Sequence, residues 1–232
     1  MKNNRLKKIL IQLFDEAVSI SHPANLMSKY IPDKQPSGKT VVIGAGKASA
    51  EMARSFEIAW SKKGYNNLHG IVITRYGHKK KCENIKIIEA SHPTPDKAGL
   101  DATSDIINLI KPLKKEDLIV VLISGGGSSL LVSPLTNISL DEKQDLTNNL
   151  LRCGATISEI NSVRKHLSKV KGGKLASFAY PAKIITLAIS DVPGDHFGVI
   201  ASGPTYPDST SNKAVSYTHL RAHETKANIV WR

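Results

Sequence analysis

The stretch LIVVLISGGGSSLL, residues 118–131, decides the fold. Its first half, Leu118 to Ile123, is an unbroken apolar run rich in β-branched residues, the pattern of a strand buried on both faces. Ser124, Gly125, Gly126, Gly127, Ser128 and Ser129 then interrupt it. Consecutive glycines let the backbone come close to a ligand, and their N–H groups, with those of a following helix start, face an anion. A flexible turn would need neither three glycines nor flanking hydroxyls, so a phosphate or carboxylate is the expected guest.

Outward from this segment, similar runs stand at Thr40 to Ile43, Gly70 to Ile73, Ile85 to Ile88 and Ile184 to Ile189. They alternate with helical patterns over Lys47 to Lys62, Asp96 to Leu109, Asp141 to Leu151 and Ser158 to Ser168, the last capped by Thr156 or Ser158. The alternation predicts an α/β fold, Rossmann-like, with a mainly parallel sheet and helices on both faces. A first helix carries Leu6, Ile9, Leu10, Leu13, Phe14, Ala17 and Val18 along one face before Pro23 and is expected to pack on the sheet. Each strand ends in a polar or glycine-rich junction: Gly44-Ala45-Gly46-Lys47, Thr74-Arg75-Tyr76-Gly77-His78, Ser91-His92-Pro93, Ser124 to Ser129, and Ser190-Asp191. Open parallel sheets bind ligands at the carboxyl ends of their strands, so these junctions converge on one edge, the expected site.

Composition narrows the partners. The 232 residues, 41% hydrophobic and 22% charged, suit one large core or two small ones. No stretch approaches the ~18 to 20 apolar residues of a membrane helix, and MKNNRLKKIL runs straight into a charged amphipathic pattern, so a cytoplasmic location and no membrane partner are expected. Cys82 and Cys153 lie far apart without metal-ligand spacing, which argues against a disulfide framework or structural zinc. The net charge of +12 invites a nucleic-acid reading, but the lysines are scattered and aromatics make up only 5%. A lysine-rich surface with a bias toward small anions fits better.

Four further stretches carry chemistry. GAGK at Gly44 to Lys47 lacks Walker spacing, yet a lysine at a helix start opposes the macrodipole, which favours a ligand-directed role for Lys47. Asp191 and Asp195, on the turn SDVPGDH, suit shared contact with a hard cation such as magnesium, although Asp191 could equally serve the turn. Arg164 and Lys165 belong to the basic segment Ser162 to Lys174, either a solvated face or a cluster for an anionic substrate. His92 precedes Pro93, which holds it extended and fixes its direction.

Taken together, VVIGAGKASAEMA (residues 41–53), VITRYGH (72–78), EASHPTPDKAGLDAT (89–103), DLIVVLISGGGSSLL (117–131), LLRCGATISEINSVRKHLSKVKGGKLA (150–176) and LAISDVPGDHFGVIASGPTYPDST (187–210) resemble one family, the glycerate kinases whose second domain is called MOFRL, in older naming hydroxypyruvate reductases. The resemblance implies ATP-dependent phosphorylation of D-glycerate with magnesium. It places the catalytic lysine at Lys47; the residues' own charge and position put phosphate or substrate contacts at Gly44, Gly46, His92, Ser124 to Ser128, Arg164 and Lys165, and magnesium at Asp191 or Asp195. The expected partners are D-glycerate and ATP, with a second copy of the chain in a homodimer and no nucleic acid. Residues 1–214 read as the N-terminal domain, truncated before the second, and a fragment of this kind is expected to be inactive. Residues 215–232, VSYTHLRAHETKANIVWR, resemble the translation of a sequencing adapter. Two rivals remain. GAGKASA superficially matches a dinucleotide fingerprint, which would suit a nicotinamide-dependent hydroxypyruvate reductase, but Thr74-Arg75 stands where its acidic residue belongs. The other is a non-catalytic nucleotide- or anion-binding module.

Overall fold

The β-branched runs do form strands. A computed structural model describes residues 2–210, so the stretch read as adapter-derived lies outside the described residues. In chain order the elements are α1 (Lys2–Ser21), α2 (Pro23–Leu26), β1 (Thr40–Ala45), α3 (Ser49–Lys62), β2 (Leu68–Arg75), β3 (Ile85–Ala90), α4 (Lys97–Ile110), β4 (Leu118–Ser124), α5 (Gly127–Leu130), α6 (Leu140–Arg152), α7 (Ile157–His166), α8 (Lys174–Ala179) and β5 (Lys183–Ile189). The five strands are parallel and lie in the order β3-β2-β1-β4-β5.

Side-chain alternation divides the core between the two faces of this sheet. Val41, Ile43, Val121 and Ile123 pack with Ile106 and Ile110 of α4, Leu130 of α5 and Leu175 of α8. Val42, Val72, Val120 and Leu122 point the other way, under Met52, Phe56 and Trp60 of α3. Every residue of β1 and β4 is buried, which is why both read as continuous apolar runs. The expectation of a Rossmann-like sheet covered on both faces is met.

Strand order positions the site. The chain runs outward from β1 to β2 and β3, then crosses back through α4 to lay β4 on the other side of β1. The carboxyl ends of β1 and β4 are therefore neighbours at the topological switch point, where open α/β sheets leave a crevice. Helix starts follow local chemistry: Asp96 accepts from Gly99 N–H at 3.0 Å to cap α4, and Ser139 with Glu142 and Thr156 with Glu159 form capping boxes for α6 and α7. Of the two caps offered for α7, the structure uses Thr156.

One expectation fails. The first helix forms, but it stands off the sheet against α2, leaving Leu10 66% and Phe14 68% exposed. A helical period reveals that a face is apolar; what lies opposite that face depends on the rest of the fold. Among the described residues no helix is long and apolar enough to cross a membrane.

Candidate active site at the switch point

The turn after β1 is built to approach β4. Gly44 lies so close to the Leu122 carbonyl that any Cβ would collide with it, so strand packing alone accounts for this glycine. Gly46 has φ 150° and a Cβ there would strike Ser124. The turn is then stitched across the switch point: Gly46 N–H donates to Ile73 O at 3.1 Å and Lys47 N–H to Gly125 O at 2.9 Å. Ala48 N–H donates to Ser124 Oγ at 3.0 Å; that hydroxyl lies 3.2 Å from Ser49 Oγ, which donates to Leu122 O at 3.1 Å. Ser124 was expected to contact a ligand; its buried hydroxyl is instead spent on fixing the turn that carries Lys47. Lys47 itself is exposed at the crevice.

Three distant chain segments meet at the next loop. Gly126 adopts φ 83°, and a Cβ on it would come within 2.7 to 2.8 Å of the His92 ring and 3.3 Å of Lys47 Cε. A Cβ on the neighbouring Gly125 would strike the Asp191 carboxylate, and one on Gly127 would lie 2.8 Å from Ala45 O. All three glycines are thus required by close approach. Among the described residues, no backbone acceptor outside regular elements takes the N–H groups of Gly126, Gly127 or Ser128. They stand as donors beside a lysine and an imidazole.

Electrostatics ties these groups together. The His92 imidazole is held below its usual pKa, first by burial, then by the charges of Lys47 and Arg75, with Asp191 opposing. The shift favours the neutral imidazole, in which one ring nitrogen can accept a proton. Arg75, at the end of β2, has a buried Nε with no hydrogen-bond partner. The sequence places Arg75 in the junction after β2 without giving it a role; its position beside the β3 junction that carries His92 follows from the β2 and β3 registers.

The remaining predicted residues separate. Ser128 Oγ lies 2.8 Å from Ser202 Oγ. Lys165, expected to bind anions, is neutralised within the fold by Asp208 at 3.3 Å. Asp191 reaches the loop, whereas Asp195 is exposed on its turn with φ 51°. No group of three or more His, Cys, Asp or Glu side chains close enough to hold a metal occurs among the described residues. Asp191 alone fits magnesium, which commonly takes one or two carboxylates and keeps water and substrate phosphates as its other ligands. Arg164 lines a cavity with Lys171, which belongs to the same basic segment, and with Lys143, which sequence reasoning missed; Lys47 does not line it.

Comparison with known proteins shows the family and the fold. Residues 9–229 match the family described as "Domain of unknown function (DUF4147)". The chain is 50% identical over 205 residues to a protein of Agrobacterium vitis named "Putative hydroxypyruvate reductase", covering 88% of this chain and 46% of that one. It is 39% identical over 226 residues to "D-glycerate 2-kinase" of Thermotoga maritima, covering 97% of this chain and 53% of the relative. The crystal structure of a glycerate kinase from Thermotoga maritima superposes with a TM-score of 0.86 at 37% identity, over 95% of this chain and 52% of that chain. The chain thus spans about half the length of the curated relatives it matches.

Proposed function

The chain belongs to the DUF4147 family, and from that premise we propose that it carries the Rossmann-like part of an ATP-dependent, cytoplasmic D-glycerate kinase. The observation that carries the reading is the meeting of Lys47, His92 and Gly126 at the switch point, with Asp191 against Gly125. Relatives named as glycerate kinases support the substrate.

Phosphoryl transfer asks a protein mainly for positioning and charge neutralisation. In the proposed reaction a glycerate hydroxyl oxygen attacks the γ-phosphorus of ATP. The new O–P bond forms as the bond to the bridging oxygen breaks, and ADP leaves with that electron pair. The hydroxyl proton passes to the neutral His92 imidazole. The Lys47 ammonium and the N–H groups of Gly126 to Ser128 oppose the charge on the transferring group, and Arg75 adds a second cation nearby. Asp191 would hold magnesium, which supplies further neutralisation of phosphate oxygens. Turnover is proposed for the longer protein that the relatives represent, and ligand binding for the chain described; on this reading the fragment alone is inactive.

The reductase reading loses ground to Arg75, a cation at the end of β2 where a ribose-binding carboxylate would be needed. Calorimetry with ATP, and coupled ADP release with D-glycerate in the longer protein, test the proposal. ATP should bind the parent chain and fail to bind Gly126→Val, whose side chain would enter the His92 ring. Oxidation of NADH or NADPH by hydroxypyruvate, without ADP release from glycerate, would sink it.

A further inference from the structure

We propose that Lys143, Arg164 and Lys171 form a further anion subsite, beside the Lys47 crevice and sharing the α5 turn with it, that takes the dianionic phosphate group of a small molecule. The cavity they line, of about 200 Å³, lies between the loop after His92, the α5 turn and helices α6 and α7. Thr94, Ser128 and Ser129 also line it.

The charge balance of this cavity is the argument. Lys143 is 6% exposed and its buried Nζ has no hydrogen-bond partner. Lys171 is fully buried; its Nζ donates to Ser128 O at 2.7 Å and Leu131 O at 3.1 Å, which leaves one N–H unused. Among the described residues no carboxylate lies within ion-pair distance of Lys143, Arg164 or Lys171. The neighbouring Lys165 shows what the fold does with a buried lysine that has an internal partner: Asp208 pairs with it at 3.3 Å. Burial of unpaired cations is costly, and like charges in one cavity repel. Consistently, Lys143 is pushed down to about 8 by burial, then by Arg164 and Lys174. An anion reverses both penalties at once, and a planar guanidinium with two ammonium groups suits the several oxygens of a phosphate better than a lone carboxylate.

The site adds Lys143 and Lys171 to Arg164, and its test reads phosphate binding without needing kinase turnover. Its link to the Gly-rich loop is Lys171, whose ammonium is fixed on the carbonyls of the α5 turn. A phosphate held there would bear on the same turn whose other end carries Gly126.

Inorganic phosphate titrated into the parent, Lys143→Met, Arg164→Gln and Lys47→Ala proteins, read by calorimetry and by melting temperature, tests the assignment. The parent and Lys47→Ala should saturate with phosphate and be stabilised by it. Lys143→Met should bind at least tenfold more weakly yet, without phosphate, melt above the parent, because a buried unpaired charge has gone. Arg164→Gln should weaken binding in the same way, and keeps the test decisive if Lys143→Met does not fold. Competition separates the sources: tighter displacement by phosphoglycerate or ATP identifies an organic phosphate, and equal or weaker displacement identifies the free ion. The proposal fails if the parent shows no saturable phosphate binding, or if Lys143→Met and Arg164→Gln bind phosphate as well as the parent. It fails equally if acetate binds as tightly as phosphate. Binding lost in Lys47→Ala but kept in Lys143→Met would move the anion to the crevice, overturning this site while leaving the kinase reading intact.

Discussion

Lys47 is exposed at the crevice and anchored through its backbone rather than its side chain. Lys47→Ala should therefore change stability by less than about 0.5 kcal/mol, as exposed positions do. Turnover in the longer protein should fall roughly a hundredfold or more, since a preorganised charge at the transferring group is lost. Coupled ADP release beside a melting curve checks both parts. His92 makes a prediction about pH. Its folded pKa lies below the unfolded value near 6.5, so above that value both states are neutral and it contributes no pH dependence. As pH falls from 6.5 toward the lowered folded value, the unfolded chain takes the proton first, and stability drops. His69 is lowered in the same direction by burial and Lys39, so the comparison must be between parent and His92→Gln. Between pH 7.5 and 5.5 the variant should lose less melting temperature than the parent.

At the scale of elements, the amino ends of the central strands are held by a single carboxylate. Asp117 Oδ1 accepts from Lys39 N–H at 2.7 Å, Oδ2 accepts from Lys114 N–H at 2.7 Å, and Leu118 N–H donates to Lys39 O at 2.9 Å. These bonds set the start of β1 against the start of β4, and so the level at which their other ends meet. The hydrogen bond from Lys114, with that from Lys39 and their charges, holds the carboxyl below its usual pKa against the opposing effect of burial. Its stabilising contribution is present above the ordinary carboxylate pKa and is lost as pH falls through the lowered folded value. Asp117→Asn replaces one acceptor by an NH₂ group and should cost about 1 to 3 kcal/mol in urea unfolding at neutral pH. A smaller change would show that the register is set by the apolar strand contacts alone.

At the scale of the molecule, the two core clusters that cover the sheet are built on β1 and β4, while a smaller third joins α6 to α7, so the stability of the sheet and the site geometry share one foundation. Ile119 is fully buried in the face under α4. Ile119→Ala should cost about 2 to 5 kcal/mol through lost burial and the cavity left behind, a large share of the roughly 5 to 15 kcal/mol that hold a domain folded. Denaturant midpoints measure this directly. Phe14, on the helix that stands off the sheet, gives the contrast: an exposed side chain outside both clusters cannot carry such a penalty.

The sequence by itself determined the strands, their parallel arrangement and the edge on which Lys47, His92 and the Gly125 to Gly127 loop would gather. Those features are local: β-branched runs make strands, glycines mark close approach, and each junction follows directly from its own strand. Tertiary structure alone decided that Ser124 turns inward to Ala48 N–H, that Lys165 is satisfied by Asp208, and that the charge of Arg75 bears on His92. It also brought Lys143 from α6, Arg164 from α7 and Lys171 from the following turn into one cavity without a carboxylate. The periodicity of a segment tells which of its faces is apolar, but a charge acquires its chemistry from whatever the fold sets opposite it, and that neighbour comes from elsewhere in the chain.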